Sequence, residues 1–528
     1  MRFLFTFHAD SAKIFNMQPL TTSIYTFSDL IETNCLYVDK TRHLHKLVTA
    51  PKGQYFLARP RRFGKSLLIS TFKAIFQGRR ELFTGLAIDK LDYDWKSYPI
   101  IHLDMGSCAA ESTEELECAL LYIVNSNAKE HNIELTQKSF SLRFLELTEK
   151  VAERDGKVVI LVDEYDKPLL NRIGQPNVSE FQQILKRFYS VIKTTEAHQR
   201  FVLLTGVSKF THVSIFSDLN NLTDITMVAD CATLLGYTQE ELEENFDDYI
   251  IRLAQKNSLT KNQSLTELRE RYNGYRFHQD AATVYNPVSV MSCFQTAEFK
   301  NYWFATGTPS FLINLLKKKP LKLDDLSAPE TSFSEYDPAN LSPLPLLMQT
   351  GYLTIAGIEQ LGRKRYYKLV IPNFEIEESL SMWLAAGFCE RQLEDIGSTL
   401  DDICKALLRD DIDAVLEHTK VFFAGVPNRI TLKHEKYYQT IFFVIFKMIN
   451  SAFESEVSTN TGYVDAVIKT DSTIYVIEFK LHDTAKAALK QINDKQYALR
   501  YQDDGRKVVK VGVKFDEELR NITDWICE

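Results

Sequence analysis

Residues 54–72 read QYFLARPRRFGKSLLISTF, and this stretch decides how the first half of the 528-residue chain is expected to fold. Its first five residues are typical of a buried strand, and residues 65–76 have the apolar spacing of a helix. Between them, Gly64-Lys65-Ser66 matches the end of a phosphate-binding loop, in which backbone N–H groups at a helix N-terminus point at an anion. The common phosphate-loop pattern has a glycine five residues before Gly64, whereas this chain has Arg59 at that position.

The residues around this loop predict a site for a nucleoside triphosphate with Mg²⁺. Lys65 is expected to reach the β- and γ-phosphates, and the Ser66 hydroxyl is expected to bind Mg²⁺. Further along the chain the apolar strand VVILV ends in two acids. Asp163 would anchor the hydrated metal, and Glu164 would polarise the attacking water. A solvated strand end beside a helix cap is the alternative interpretation.

Two further features extend this predicted site. Another strand ends in TGVSK (205–209), from which Ser208 or Thr205 is expected to sense the γ-phosphate, although polar residues are common at strand ends. The loop arginines add positive charge and Pro60 stiffens the entry; a solvated basic turn is the alternative. The residues expected to contact ATP are Arg59, Arg62, Gly64, Lys65, Ser66, Leu67, Asp163 and Ser208.

The order of the predicted elements indicates an α/β fold. Strand-like and helix-like segments alternate to about residue 230, which predicts a P-loop NTPase parallel sheet covered on both faces by helices. A mostly helical region follows, and then a helix leading into a β-hairpin, as in a winged-helix module. After another helical stretch, the patterns predict a helix at 433–453, a strand pair within 461–481, a helix at 484–501 and a last strand at 507–515.

Composition narrows the class of protein. Apolar residues make up 45% of the chain and charged residues 25%, which are ordinary values for globular proteins. The formal charge of −8 argues against coating nucleic acid by bulk electrostatics but leaves room for a local basic patch. The eight cysteines form no C-x-x-C pair, and no apolar run reaches the length of a membrane span. A cytoplasmic protein without membrane partners is expected.

A second informative stretch is TGYVDAVIKTDSTIYVIEFKL, residues 461–481. Side chains alternate along a strand, so Glu478 and Lys480 share one face, and Asp465 on the partner strand is expected to face Glu478. Two carboxylates and an amine on one sheet face predict a Mg²⁺ site for phosphodiester cleavage. An exposed hairpin with a Glu–Lys pair is the alternative. The catalytic residues predicted for the two sites are Glu164, Asp465, Glu478, Lys480, Glu435 and Gln491; the predicted metal ligands are Ser66, Asp163, Asp465 and Glu478.

Eight ordered motifs carry a family resemblance. They are YVDKT (37–41), RPRRFGKSL (59–67), LVDEYD (161–166), TGVSKF (205–210), FSDLNNL (216–222), YNGYRF (272–277), YNPVSV (285–290) and QTGYLTI (349–355). Together they resemble the AAA-ATPase-like family of prokaryotic P-loop proteins, which usually end in a PD-(D/E)XK-type nuclease domain. The resemblance implies ATP binding at Lys65 and Ser66. It also implies that the arginine-rich loop without its first glycine is the family's own form.

For the C-terminal part, the resemblance matches Asp465, Glu478 and Lys480 to the D…E-x-K core, Glu435 to a helical acid and Gln491 to the following helix. Many relatives carry an arginine between the Gly and Asp of this motif, where the present chain has Tyr463 and Val464. The domains expected are an N-terminal extension (1–16), a P-loop ATPase domain (17–230), a helical lid and winged-helix-like region (231–375), a helical linker (376–427) and a restriction-endonuclease-like PD-(D/E)XK domain (428–528).

Three functions are compatible with these residues. The first is an ATP-regulated, Mg²⁺-dependent nuclease acting on DNA or RNA, with a role in defence or mobile-element biology by analogy. The second is a nucleotide-controlled binding or scaffold protein with a catalytically silent nuclease fold. Its nucleic-acid contact would be the basic residues Arg363, Lys364, Arg365 and Lys368, for which a charged hairpin tip or a wedge between domains is the alternative interpretation. The third is a signalling ATPase that works as a homo-oligomer, with an arginine supplied by a neighbouring subunit.

Overall fold

The computed structural model describes residues 17–209, 221–303, 312–313, 315–316, 319, 326–333, 342–389, 393–424, 453–459, 462–516, 518–519 and 521–528. These residues form two compact units. The first takes the described residues up to Tyr302 together with 331–333 and Gln349–Ala356, and the second takes the rest. The finer domain boundaries given above stay predictions.

The first unit is built on a five-stranded parallel sheet. Its strands are β1 (Gly53–Ala58), β2 (Ile100–Asp104), β3 (Val158–Asp163), β4 (Gln199–Gly206) and β5 (Thr223–Asp224), in the order β2-β3-β4-β1-β5. Every residue of β3 is buried, as expected for an apolar strand in a sheet covered on both faces. Because all five strands are parallel, the chain leaves each of them at the same edge of the sheet.

Seven helices accompany this sheet among the described residues. Helix α3 packs against β3 and β4, α4 against β2, and α5 against β3. Ser112 and Ser139 cap the N-termini of α4 and α5 with their hydroxyl groups. The seven helices are α1 (Phe27–Glu32), α2 (Thr41–Val48), α3 (Lys65–Phe76), α4 (Thr113–Glu130), α5 (Phe140–Asp155), α6 (Lys167–Leu170) and α7 (Val178–Thr194).

A helical region completes the first unit. It contains α8 (Gln239–Lys256), α9 (Lys261–Tyr272) and α10 (Pro287–Thr296). Capping boxes start α8 and α9, and the Asn286 side chain caps α10 ahead of a proline at its first position. The three helices share an apolar core that includes Phe246, Ile250, Leu268 and Phe294.

The second unit contains a five-stranded sheet and most of a three-stranded sheet, of which residues 354–356 belong to the first unit. Strands β6 (Leu326–Pro329), β7 (Thr354–Leu361) and β8 (Lys364–Val370) form a sheet in the order β6-β8-β7, and helix α11 (Pro343–Thr350) precedes its hairpin. A five-stranded sheet has the order β13-β12-β11-β10-β9, in which β11 and β12 are parallel. Its strands are β9 (Phe453–Thr459), β10 (Gly462–Lys469), β11 (Thr473–Lys480), β12 (Lys507–Asp516) and β13 (Asn521–Cys527).

Helices also pack against the five-stranded sheet of β9 to β13. Helix α15 (Ala485–Asp494) lies against β11 and β12, and its Ile492 joins the apolar cluster of Val467, Ile474 and Val476. Three helices come before this sheet in the chain: α12 (Phe374–Cys389), α13 (Leu393–Leu407) and α14 (Ile412–Ala424). No described helix combines the length and the apolar character that crossing a membrane requires.

The predicted fold class is confirmed: a parallel P-loop sheet, a helical and winged-helix-like region, and a small C-terminal α/β domain. Two boundaries differ from the sequence prediction. The helix predicted at 484–501 ends at Asp494, and two residues later Gln496 adopts a left-handed φ of 53°. The helix predicted at 433–453 lies outside the described residues up to 452, and Phe453 already belongs to β9.

Candidate functional site

The backbone of the loop after β1 explains why glycine is not needed at position 59. Arg59 is not among the residues with positive φ, and its N–H donates to the Gly206 carbonyl at 3.0 Å, which extends the pairing of β1 with β4. The left-handed positions of the loop are Arg62, with φ 66°, and Gly64, with φ 87°. Gly64 is the N-cap of α3, and this is the position that favours glycine.

The Arg59 side chain is buried beneath the loop and binds backbone carbonyls of neighbouring segments. It is 1% exposed, and its guanidinium donates to the carbonyls of Ala58 (2.8 Å), Thr226 (2.7 Å) and Cys231 (2.9 Å). It also lies 4.1 Å from the centre of the Phe277 ring, and burial lowers its pKa to about 10. Because these N–H groups are already donated within the protein, the geometry does not favour the predicted contact between Arg59 and a phosphate.

Lys65 lies inside the loop. Its side chain is buried, and its ammonium group donates to the carbonyls of Arg59 (3.0 Å) and Pro60 (2.9 Å). Burial lowers the pKa of Lys65, while the negative charges of Asp163 and Asp166 act in the opposite direction. Lys65 is therefore close to the acidic end of β3, as the motif predicts.

The other loop residues occupy the first turn of α3 and its approach. Ser66 and Leu67 are partly exposed, and their N–H groups belong to the first turn of the helix, which has no carbonyl partners within the helix. Arg62 donates to the Tyr302 carbonyl at 3.3 Å. The residues that fit an anion are therefore Gly64, Lys65, Ser66 and Leu67.

Asp163 stands at the end of β3, one strand away from the loop. Its Oδ1 accepts from the Thr205 hydroxyl at 2.6 Å and from the Glu164 N–H at 3.0 Å. Since β4 lies between β1 and β3, Thr205 bridges the strand that carries the acid and the strand that feeds the loop. A buried carboxylate held by two donors keeps a fixed orientation, as a metal-binding role requires.

Glu164 has a left-handed φ of 50°, and its carboxylate lies 3.5 Å from the Lys167 ammonium. Asp104 at the end of β2 is the register partner of Asp163 and accepts from the Gly106 N–H at 2.9 Å. A Cβ at Gly106 would lie 2.9 Å from Asp104 and 3.2 Å from Glu164, so both carboxylates line this turn. The sequence prediction missed Asp104, although IIHLD resembles VVILVD in ending an apolar strand with an acid.

Ser208 belongs to a buried network with Asp166. The Asp166 carboxylate accepts from the Val207 N–H, the Ser208 N–H (2.7 Å) and the Ser208 hydroxyl (2.7 Å). Burial raises the pKa of Asp166, and these hydrogen bonds oppose the rise. A γ-phosphate-sensing role for Ser208 stays a prediction. The sequence prediction missed Asp166, which joins the ends of β3 and β4.

The second candidate site lies on the sheet of β9 to β13. Asp465 on β10 and Glu478 on β11 are cross-strand neighbours, because Ala466 pairs with Ile477. Asp465 accepts from the Phe479 N–H at 2.8 Å, and Glu478 is 3% exposed. Burial, followed by the negative charge of Asp465, raises the pKa of Glu478 to about 7. The two carboxylates therefore repel each other across a buried strand pair.

Lys480 and Gln491 hold one oxygen of Glu478. The Lys480 ammonium lies 3.2 Å from Glu478 Oε1, and the Gln491 side-chain amide on α15 donates to the same oxygen. Glu478 Oε2 is buried without a hydrogen-bond partner among the described residues. Carboxylate oxygens are the ligands that Mg²⁺ prefers, and an unpaired buried oxygen is costly, so Asp465 and Glu478 fit a divalent cation.

Two residues named in the prediction of the C-terminal site cannot be placed in it. Glu435 and the Tyr463 side chain lie outside what the structure describes. Among the described residues there is no group of three or more His, Cys, Asp or Glu side chains placed to hold a metal ion. The described part of the site is thus a pair of carboxylates with a lysine and a glutamine.

Comparisons with known proteins identify the two domains in which the candidate sites lie. A family model described as a predicted AAA-ATPase matches residues 21–216, and a PD-(D/E)XK nuclease superfamily model matches residues 433–525. The "Uncharacterized protein in vnfD 5′ region" of Azotobacter chroococcum mcd 1 is 33% identical over 523 residues, which cover 96% of this chain and 98% of that protein. This chain belongs to the AAA-ATPase-like family. Its architecture joins an AAA-ATPase-like domain to a PD-(D/E)XK nuclease superfamily domain.

Two solved structures share a weaker likeness with this AAA-ATPase-like protein. The Aeropyrum pernix ORC1 protein, solved in complex with DNA, has a TM-score of 0.26 at 10% identity, over 65% of this chain and 91% of that chain. The Aeropyrum pernix ORC2 protein, solved as ADPNP–ADP complexes, has a TM-score of 0.26 at 11% identity, over 69% of this chain and 93% of that chain. Likenesses at this level carry no argument about function.

Proposed function

We propose that this AAA-ATPase-like protein binds ATP with Mg²⁺ at the loop after β1, and that the nucleotide regulates Mg²⁺-dependent phosphodiester cleavage of DNA or RNA by the C-terminal domain. The observation that carries the nuclease part is the buried, partner-free oxygen of Glu478 beside Asp465. Burying two carboxylates side by side is costly unless a cation offsets their charge, which favours a metal site over a catalytically silent fold. A role in defence rests on the family resemblance alone.

The residues of the C-terminal site have distinct tasks in such a reaction. Mg²⁺ bound by Asp465 and Glu478 would activate water and stabilise the leaving oxygen. The Gln491 amide and the Phe479 N–H fix the two carboxylates in orientation. Lys480 adds a positive charge where charge develops on the phosphate.

The residues of the nucleotide site divide in the same way. Bound ATP with Mg²⁺ would supply the phosphoanhydride to be hydrolysed. Lys65 would reach its β- and γ-phosphates by exchanging its hydrogen bonds to the Arg59 and Pro60 carbonyls, while Ser66 and Asp163 would hold the metal. Glu164 orients water, and its left-handed backbone is the kind of strained conformation found at functional sites.

Contacts inside the first unit support nucleotide control. Phe63 of the loop packs edge-on against Tyr275 (4.9 Å between ring centres) and Phe277 (5.5 Å). Between these two aromatic residues, the Arg276 N–H donates to the Thr354 hydroxyl at 2.7 Å, and that hydroxyl donates to the Arg276 carbonyl at 3.1 Å. A change in the loop therefore bears on Thr354, at the start of β7.

A second connection starts from the other side of the nucleotide site. The Lys209 N–H, just after β4, donates to the Gln349 side chain at 2.9 Å, and the Lys209 ammonium pairs with Asp224 at 2.6 Å. Gln349 and Thr354 belong to one short segment, 349–356, which continues into the hairpin of the second unit. This convergence makes the segment the natural path from ATP to the C-terminal site.

The test uses the purified full chain with Mg²⁺ and several DNA and RNA substrates, with and without ATP. Lys480→Ala should abolish cleavage while ATP hydrolysis continues, because the lysine acts only on the C-terminal site. Lys65→Ala should abolish ATP hydrolysis and the effect of ATP on cleavage. Cleavage undiminished by Lys480→Ala would overturn the nuclease assignment.

A further inference from the structure

A second lysine lies beside the C-terminal site. Strands β11 and β12 are parallel, with Glu478 opposite Gly512 and Lys480 opposite Lys514. Register partners in neighbouring strands point to the same face and are about 4.8 Å apart. Lys514 therefore shares the face of Glu478 and Lys480, one strand further from Asp465.

Among the described residues, the Lys514 ammonium forms no direct hydrogen bond or ion pair, although the pKa of Asp516, lowered by the Leu519 and Glu518 N–H groups, is lowered further by the charge of Lys514. Lys480 pairs with Glu478, whereas Lys514, which is partly exposed, makes no hydrogen bond or ion pair with a described residue. Two acids are near it in register or sequence. Asp524 is its partner on β13 without forming an ion pair, and Asp516 accepts from the N–H groups of Glu518 and Leu519.

The local backbone is adapted around this residue. The register of β12 with β13 shifts between Lys514 and Phe515, and such bulges redirect side chains next to active sites. Two residues earlier, Gly512 is covered by the backbone of α15. Two lysines side by side on one sheet face repel each other, so the arrangement is relieved when an anion lies between or above them.

We infer that Lys514 binds a phosphate of the nucleic-acid backbone next to the one that is cleaved. The inference rests on the proposed function, in which Asp465, Glu478 and Lys480 act on the scissile phosphate. A nucleic-acid strand carries phosphates on both sides of that position, at a spacing of about 3.4 Å along the helix axis per strand. Lys514 thus positions a polynucleotide without taking part in the chemistry.

The test measures binding and cleavage separately in the full chain. Binding of a fluorescent oligonucleotide is followed by anisotropy over a range of salt concentrations, with Ca²⁺ replacing Mg²⁺. Lys514→Gln should weaken binding about 10-fold and reduce the slope of log affinity against log salt by about 1, as for the loss of one phosphate contact. Lys514→Arg should retain binding within about 2-fold, because it keeps the charge.

The control is Lys507→Gln. Lys507 is an exposed lysine at the other end of β12, where it pairs in register with Thr473. Its substitution should leave the affinity and the salt slope unchanged. In cleavage assays with Mg²⁺, Lys514→Gln should raise KM by about the loss in affinity with kcat nearly constant, because only a binding contact is removed.

Each outcome separates the inference from the proposed function. Equal binding by the Lys514→Gln and Lys507→Gln variants overturns the inference even when the protein cleaves nucleic acid. Equal losses in Lys514→Gln and Lys514→Arg overturn it as well, since they indicate a structural role. Weaker binding by Lys514→Gln, in a protein that never cleaves, supports the contact and overturns the nuclease assignment instead.

Discussion

At the scale of single residues, Arg59 shows how this loop differs from the common phosphate-loop pattern. A glycine there would release three carbonyls and the Phe277 ring from a buried cation. Arg59→Gly should therefore destabilise the first unit by about 2–4 kcal/mol, as expected for lost charged hydrogen bonds, instead of improving ATP binding.

Thermal unfolding with and without ATP measures this effect. The matched control is Arg61→Gly, at a partly exposed position of the same loop, which should cost well under half as much. A more stable Arg59→Gly variant with tighter ATP binding would show that the common loop pattern applies here after all.

Glu478 is a residue whose charge opposes folding in the absence of metal. Its pKa is raised to about 7 by burial and by Asp465, so at pH 8 the ionised form destabilises the fold. Glu478→Gln keeps an acceptor for Lys480 and Gln491 without the charge. Without metal it should be more stable than the parent chain by roughly 1–2 kcal/mol.

When Mn²⁺ is added, the parent chain should become more stable than the Glu478→Gln variant. The parent chain should unfold at a higher temperature when Mn²⁺ is added, and the Glu478→Gln variant should not, because one ligand is neutral. Thermal scans at pH 8 with EDTA or Mn²⁺ make the comparison. If both proteins respond equally to Mn²⁺, the ion binds elsewhere and the silent-fold hypothesis gains support.

The sequence identifies Lys65, Asp163, Asp465 and Glu478 because local rules determine where they lie: a helix follows the loop, and side chains alternate along strands. It does not identify the role of Arg59, because two of its acceptors come from residues 167 and 172 positions away. Such pairings depend on the order of strands in the sheet, which the local pattern leaves open.

At the scale of elements, Gly512 determines where α15 lies. A Cβ at Gly512 would overlap the Ala485 carbonyl and lie 2.6 Å from the Leu489 nitrogen, both in the backbone of α15. Gly512→Ala should displace the helix, cost about 1–3 kcal/mol and move Gln491 away from Glu478, which weakens Mn²⁺ binding.

Unfolding and Mn²⁺ titration measure the two effects of Gly512→Ala together. Gly357→Ala is the control, because Gly357 also lies in a strand and a Cβ there meets no atom within 4 Å. An unchanged Mn²⁺ affinity in Gly512→Ala would mean that Gln491 does not depend on the helix position.

Helix α5 holds the turn before it through Glu146. This carboxylate accepts from the Thr136 N–H and hydroxyl and from the Gln137 N–H, and pairs with Lys150 at 2.8 Å. Burial acts to raise its pKa, but these hydrogen bonds outweigh it and lower the pKa of Glu146 to about 2. The stabilisation is therefore present above the ordinary value of 4.5 and is lost as the pH falls towards 2.

Glu146→Gln should lower the free energy of unfolding by about 1 kcal/mol at pH 7, a modest amount because solvent is near. The difference from the parent chain should shrink between pH 4.5 and pH 2. Hydrogen exchange of residues 132–139 reports the turn directly. Glu149→Gln, on the same helix, is the control; a difference that persists at pH 2 would assign the effect to packing.

Most elements with strong periodicity agree with their sequence predictions, but several elements are not predicted, among them α5, β9 and β13. Helix α5 buries Phe140, Phe144, Leu147 and Val151, a helical spacing that is visible in the sequence although the sequence prediction misses this helix. Strands β9 and β13 are the outer strands of their sheet. In β13 only Ile522 is buried, so little apolar alternation marks it.

At the scale of the whole molecule, the net charge of −8 has a consequence for how nucleic acid is bound. A net negative charge gives no general attraction to a polyanion, so we expect the affinity of the proposed nucleic-acid complex to depend on a few local cations such as Lys480 and Lys514. Binding to nucleic acid should therefore show a shallow salt dependence, set by few phosphate contacts, instead of the steep dependence of basic proteins.

If the nucleotide regulates cleavage as proposed, we expect the segment 349–356 to be required for that effect. Thr354→Val keeps the shape of the side chain and removes the hydroxyl that joins it to both backbone groups of Arg276. ATP hydrolysis and basal cleavage should stay close to those of the parent chain, because Thr354 contacts neither candidate site. The ratio of cleavage with ATP to cleavage without it should fall towards 1.

Parallel assays of ATP hydrolysis and cleavage measure this ratio. Thr148→Val is the matched control, since that buried hydroxyl donates only to Phe144 within α5 and should leave the ratio intact. A nucleotide alters cleavage only if it stabilises one arrangement of a connecting element over another. Thr354 is hydrogen-bonded to Arg276, which lies between the two aromatic residues that Phe63 contacts. An unchanged ratio in Thr354→Val would place the connection on the Gln349 side, where Gln349→Ala becomes the decisive variant.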